Sequence, residues 1–389
     1  MNYNFDEIID RRNTNSVKHD FAKEHGLPDD VIPLWVADMD FKTPIEVTQK
    51  LIECAEHGVF GYTGTKEDYF LALQNWFSSR FDYDIEPKWL IKTPGVVFAI
   101  ATAINSFTEP GDGILIQKPV YHPFFGCINA SGREVINNPL VYKNGEYFID
   151  FDDFESKIRE NKVKLFILCS PHNPVGKVWD TEDLRTIGEI CQKYNCLVVS
   201  DEIHCDFVYN GHKHHIFSTV NPDFIDNSII CTAPSKTFNM AGLQASNIII
   251  ANDEIRKRFS KGMHVTGYGG LNLMGLAACQ SAYENGGAWL NQLVDYLSGN
   301  LSLLRKFLEE EIPQIKMIEP EGTYLVWLDC KSLGISQKDL DELIINKAKL
   351  WLNSGTMFGE EGEGFQRMNI ACPRSVLEKG LINLKMALK

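Results

Sequence analysis

The chain is 389 residues long, enough for two or three domains and a core that needs no covalent staples. Its 44% hydrophobic and 23% charged residues are those of an ordinary globular protein. The formal net charge of −14 repels nucleic acid and anionic membrane, so neither is expected as a partner.

The opening Met-Asn-Tyr-Asn-Phe-Asp-Glu lacks the basic and apolar regions of a secretory signal, which points to a cytoplasmic chain. A first helix is expected from Pro44 to His57, with Thr43 as cap and Gly58 as stop. A second is expected over Lys66–Arg80, its Tyr69, Phe70, Leu73, Trp76 and Phe77 forming a core-facing stripe. The run Val96–Phe107 reads as an apolar helix. Its longest apolar stretch, Val96–Ile104, is about half of what a membrane span needs.

Four strands are expected at Ile114–Gln117, Val163–Ser170, Cys196–Ser200 and Ser228–Cys231. Between the second and third lies a helix capped by Thr181, with Leu184, Ile187 and Cys191 facing inward. Strand, helix, strand is the right-handed βαβ unit, and its recurrence implies an α/β protein with a mainly parallel sheet. Beyond about Glu284 the pattern changes to a long helix from Trp289 to Glu311. A strand at Tyr324–Leu328, a helix from Gln337, a short segment at Met368–Ile370 and a terminal helix from Ser375 follow. These features suggest a large domain over residues 49–285 and a smaller α+β domain made of residues 1–48 and 286–389. The ten cysteines sit in apolar runs without Cys-x-x-Cys spacing, as buried free thiols do in a reducing compartment.

Ligands of open α/β sheets bind beyond the carboxyl ends of the strands. Just past the four strands stand Tyr121, Asn173, Asp201 and Lys236. An aromatic, an amide, a carboxylate and a lysine at one rim suit pyridoxal phosphate (PLP). Lys236 would supply the Schiff-base amine and Asp201 would hold the ring nitrogen protonated. Asn173 would donate to the phenolic oxygen, and Tyr121 would stack on the ring. Thr93-Pro94-Gly95-Val96-Val97 offers backbone amides at a helix start for the phosphate.

Longer segments carry a resemblance. They are Asn15-Ser16-Val17-Lys18, Pro33-Leu34-Trp35-Val36-Ala37-Asp38-Met39-Asp40-Phe41, Gly61-Tyr62 and Pro119-Val120-Tyr121-His122-Pro123-Phe124. After them come Pro171-His172-Asn173-Pro174-Val175-Gly176, Ser200-Asp201-Glu202-Ile203-His204, Ala233-Pro234-Ser235-Lys236-Thr237-Phe238-Asn239 and Cys372-Pro373-Arg374. Over nearly its whole length the chain resembles the fold-type I PLP enzymes of the aminotransferase class I/II superfamily, and most closely their cystathionine β-lyase (C–S lyase) branch. The Pro33–Phe41 segment and His204 favour that branch.

The resemblance implies further roles. Gly95, Val96 and Ser235 would bind the phosphate, and Tyr62 would reach it across a homodimer interface. Arg374 would grip the substrate carboxylate as a bidentate fork, and Trp35 would line the substrate pocket. The chain departs from general aminotransferases in having His204 three residues after Asp201 where a tyrosine is usual. It also has Ala233 in place of a serine and Gln244 in place of an arginine, which shifts phosphate anchoring toward backbone amides, Tyr62 and Ser235. The expected reaction is β-elimination of L-cystathionine or related cysteine S-conjugates to thiol, pyruvate and ammonia, with Lys236 as base. Transamination remains the alternative, because both reactions share their first steps. The run Gly211-His212-Lys213-His214-His215 lacks a carboxylate or cysteine at ligand spacing and reads as a solvated loop, so no metal is expected.

Overall fold

The computed structural model describes residues 2–209 and 211–389. At its centre is a seven-stranded sheet in the order Leu90–Thr93, Ser246–Ile249, Ser228–Thr232, Leu197–Asp201, Leu165–Cys169, Gly113–Ile116, Glu134–Asn137. Only Ser246–Ile249 runs against its neighbours. The other pairings are parallel. The inner strands are apolar at consecutive positions and buried throughout, as a sheet covered on both faces requires.

Alternate residues of these strands serve two different cores. Ile114, Ile167, Val199 and Cys231 pack on the helix Val96–Phe107. Leu115, Phe166, Val198 and Ile230 belong to a larger core that also takes in Trp289, Leu325, Trp327, Phe365 and Met368. That second core continues into a four-stranded antiparallel sheet of Lys316–Met317, Leu325–Asp329, Phe365–Asn369 and Asn353–Ser354. Ile32–Pro33 pairs in parallel with Leu350–Trp351 and brings the N-terminal segment against the C-terminal one.

The expected helices form with small shifts at their ends. The first spans Ile45–His57 and ends at Gly58 with φ 72°, but Pro44 precedes it and the Thr43 hydroxyl caps nothing. The second spans Glu67–Phe81 and buries Tyr69, Leu73, Trp76 and Phe77. The helix Thr181–Lys193 is capped by Asp180, whose carboxylate accepts from the amides of Glu182 and Asp183, and not by Thr181. All ten cysteines are free, and eight are buried.

The histidine run departs from a solvated loop. His214 is buried, its Nε2 is 2.8 Å from the Glu202 carboxylate, and Glu202 also accepts from the Ser200 hydroxyl and the Phe217 amide. A buried carboxylate needs such partners.

Candidate active site

The carboxyl ends of the parallel strands and the start of the helix Val96–Phe107 enclose a cavity of about 170 Å³. Tyr121, Asn173, Asp201, His204, Ser235 and Lys236 all line it, as do Gly95 and Val96. Asp201 is the last residue of its strand, where a neighbouring parallel strand on each side holds the backbone. Lys236 sits in the short helix Pro234–Thr237 that follows the strand Ser228–Thr232. Also in the lining, the first amides of the helix Val96–Phe107 have no intrahelical acceptor, and a Cβ on Gly95 would meet nothing within 4 Å. A helix start of this kind suits an anion.

Burial sets the charges. Desolvation lowers the Lys236 amine to about 8, against the opposing charge of Asp38. Its Nζ donates to the Ala37 carbonyl at 2.7 Å. Desolvation raises Asp201 to about 7, with the Ile203 amide, 3.1 Å from Oδ1, the chief opposing influence. A buried carboxylate with so little compensation is suited to a cationic N–H in the cavity. His204 is driven well below the usual imidazole range by burial and by the nearby Lys236 and Arg367. It is therefore neutral, and its buried Nδ1 has no hydrogen-bond partner. A phosphate cradle, a buried amine, an undersatisfied carboxylate and a neutral imidazole fit the group expected from the sequence.

Three expected residues lie elsewhere. Arg374 begins the terminal helix, and its guanidinium rests 4.8 Å from the Tyr296 ring while Nε donates to Asn300. Both partners belong to the long helix Gly287–Glu311, and Arg374 is not part of the cavity lining. The Trp35 ring stacks on Trp351 at 4.2 Å and is likewise outside the cavity lining. Tyr62 is fully exposed and borders a separate surface groove with residues 269–274.

Arg367 is not among the residues expected from the sequence. It lies within the strand Phe365–Asn369 and is buried. Nη1 donates to the Asn173 side-chain oxygen at 2.9 Å and Nη2 to the Trp35 carbonyl at 2.9 Å, with Asn353 a further acceptor. Among the described residues no carboxylate pairs with it, and its buried Nε has no partner. Burial lowers it only to about 10, so it remains a cation near neutral pH. The sequence carried little signal for it, since Phe365-Gln366-Arg367-Met368-Asn369 mixes polar and apolar residues and a charge is seldom buried unpaired.

The fold, the lysine–aspartate pair and the helix-start cradle together define the class: the chain belongs to the aminotransferase class I and II family, whose model matches residues 29–383. It is 44% identical to the cystathionine β-lyase PatB of Bacillus subtilis, over 99% of this chain and all of that one. It is 32% identical to the protein MalY of Escherichia coli, over 100% of this chain and 99% of MalY. Among solved structures, cystalysin of Treponema denticola, which contains a PLP cofactor, superposes with a TM-score of 0.97. The identity there is 39%, covering 100% of this chain and 99% of cystalysin.

Proposed function

We propose that this chain is a PLP-dependent carbon–sulfur β-lyase acting on L-cystathionine or related cysteine S-conjugates. The observation that carries the reading is a cavity lined by a lysine poised near neutrality and by Asn173, whose side-chain oxygen accepts from a buried arginine without an anion. Similarity to cystathionine β-lyase along the full chain favours elimination over transamination.

Gly95, Val96 and Ser235 would hold the cofactor phosphate, Asp201 the ring nitrogen, Asn173 and His204 the phenolic oxygen, and Tyr121 the ring face. When bound, the cofactor supplies an aldehyde for the substrate amine and a ring that draws electrons from the α-carbon. Arg367, and not Arg374, takes the substrate carboxylate, which satisfies the guanidinium's missing anion. With a value of about 8, roughly a tenth of Lys236 is neutral at pH 7, so Nζ can accept the α-proton. Asp201 keeps its partner N–H charged; removing one member of such a buried pair costs about 3–5 kcal/mol. Loss of the α-proton and the thiolate, with addition of one water, gives thiol, pyruvate and ammonia. We further propose a homodimer in which Tyr62 completes the phosphate site of the partner, in a cytoplasmic setting.

The test is a product assay on the purified holoenzyme with L-cystathionine or L-cysteine and no oxo acid. Pyruvate and thiol released together over many turnovers are expected. Turnover only after a 2-oxo acid is added would replace this reading with transamination.

A further inference from the structure

The segment Trp35–Asp38 lies beside the cavity without helix or strand hydrogen bonding. Its carbonyls are nevertheless all engaged. Trp35 O accepts from Arg367, Val36 O from Asn369 at 2.7 Å, Ala37 O from the Tyr324 hydroxyl at 3.1 Å, and Asp38 O again from Asn369 at 2.7 Å. Arg367 and Asn369 share one face of the strand Phe365–Asn369, and Tyr324 immediately precedes the antiparallel neighbour Leu325–Asp329, where Leu325 faces Asn369. On the other side Asn239, three residues after Lys236, accepts from the Met39 amide and donates to the Met39 and Phe41 carbonyls. The fully buried Lys18 and the Arg11 guanidinium anchor Asp40 at 2.8 Å each. The strap is thus tied along its whole length.

Ala37 O is the one carbonyl of the strap that also accepts from Lys236. A neutral amine that donates one N–H to a fixed acceptor has its lone pair turned away from that acceptor. We propose that the Ala37 carbonyl orients the Lys236 amine for proton transfer, and that Tyr324 and Asn369 are the positioning residues that hold it. Because Trp35 O is tied to Arg367, the same strap sets the spacing between the base and the carboxylate site. This inference rests on the reading of Lys236 as base.

The test uses holoenzyme carrying Tyr324→Phe, which removes the hydroxyl and keeps the ring's edge contacts with His204 and Phe207. Exchange of the α-hydrogen of L-alanine in D2O, followed by NMR, isolates the proton step because alanine has no leaving group. The exchange rate and kcat should both fall about tenfold, with a larger isotope effect on α-deuterated substrate. KM and the cofactor absorbance should stay unchanged. Asn369→Ala should reproduce this pattern. Wild-type exchange in both variants, or rates lost only in step with cofactor, would overturn the proposal. If the unaltered enzyme exchanges the alanine proton but releases no thiol from L-cystathionine or L-cysteine, the lyase reading fails and the positioning proposal survives. If it exchanges nothing, Lys236 is not the base and the positioning proposal falls with it.

Discussion

Arg367 and Arg374 stand seven positions apart, and their surroundings give them different tasks. Arg374 has a neutral aromatic face and an amide for company, with its guanidinium outside the cavity. Arg367 is a buried cation bonded only to neutral oxygens, so an incoming carboxylate is the first anion it meets. Truncating one member of a buried charged pair typically costs 2–5 kcal/mol. Arg367→Lys loses the bidentate fork and should lower kcat/KM by about a hundredfold or more. Arg374→Ala should leave KM within about twofold. Steady-state kinetics on both variants checks the pair, and the reverse ranking would return the carboxylate to Arg374. Lys236, Asp201, Asn173 and Tyr121 were legible in the sequence because each follows an apolar strand, where an open α/β sheet exposes its ligands. Arg367 was not, because it lies within a strand and meets the cavity residue Asn173, 194 positions away, only by tertiary packing.

Among the elements, the inner parallel strands were legible to within two residues because each centres on a short apolar run between polar residues. The antiparallel Ser246–Ile249 escaped notice, since four residues with a polar Asn247 carry no periodicity and strand direction leaves no local mark. The same holds for the outer strand Glu134–Asn137, which is only partly covered. Helix starts were misplaced by one residue where two capping types adjoin. At Asp180-Thr181 the carboxylate reaches two free amides at 2.9 and 2.8 Å. Asp180→Ala should therefore destabilise the protein by about 1 kcal/mol and Thr181→Ala by clearly less. Urea unfolding of the two variants measures this, and equal losses would contradict the cap assignment.

For the whole molecule, we propose a large domain of residues 49–285 and a smaller one of residues 1–48 with 286–389. Support comes from the pairing of Ile32–Pro33 with Leu350–Trp351, although one core runs through both parts. The exposed Val59, Phe60 and Tyr62 stand beside the groove of residues 269–274, and this apolar surface is where the proposed homodimer would form. Light scattering should give twice the chain mass. Tyr62→Phe should weaken cofactor retention about tenfold, measured by dialysis and absorbance, without altering that mass. A monomer that keeps its cofactor would exclude a shared site.

The strap beside Lys236 also bears on how the molecule comes into being. Trp35 and Arg367 are 332 positions apart, and Ala37 and Tyr324 are 287 apart. A chain emerging from the ribosome has the lysine and its aspartate in hand long before the strands that fix the Ala37 carbonyl exist. Reactivity is thereby postponed to the last stage of synthesis, and an unfinished chain holds an amine without the alignment to use it.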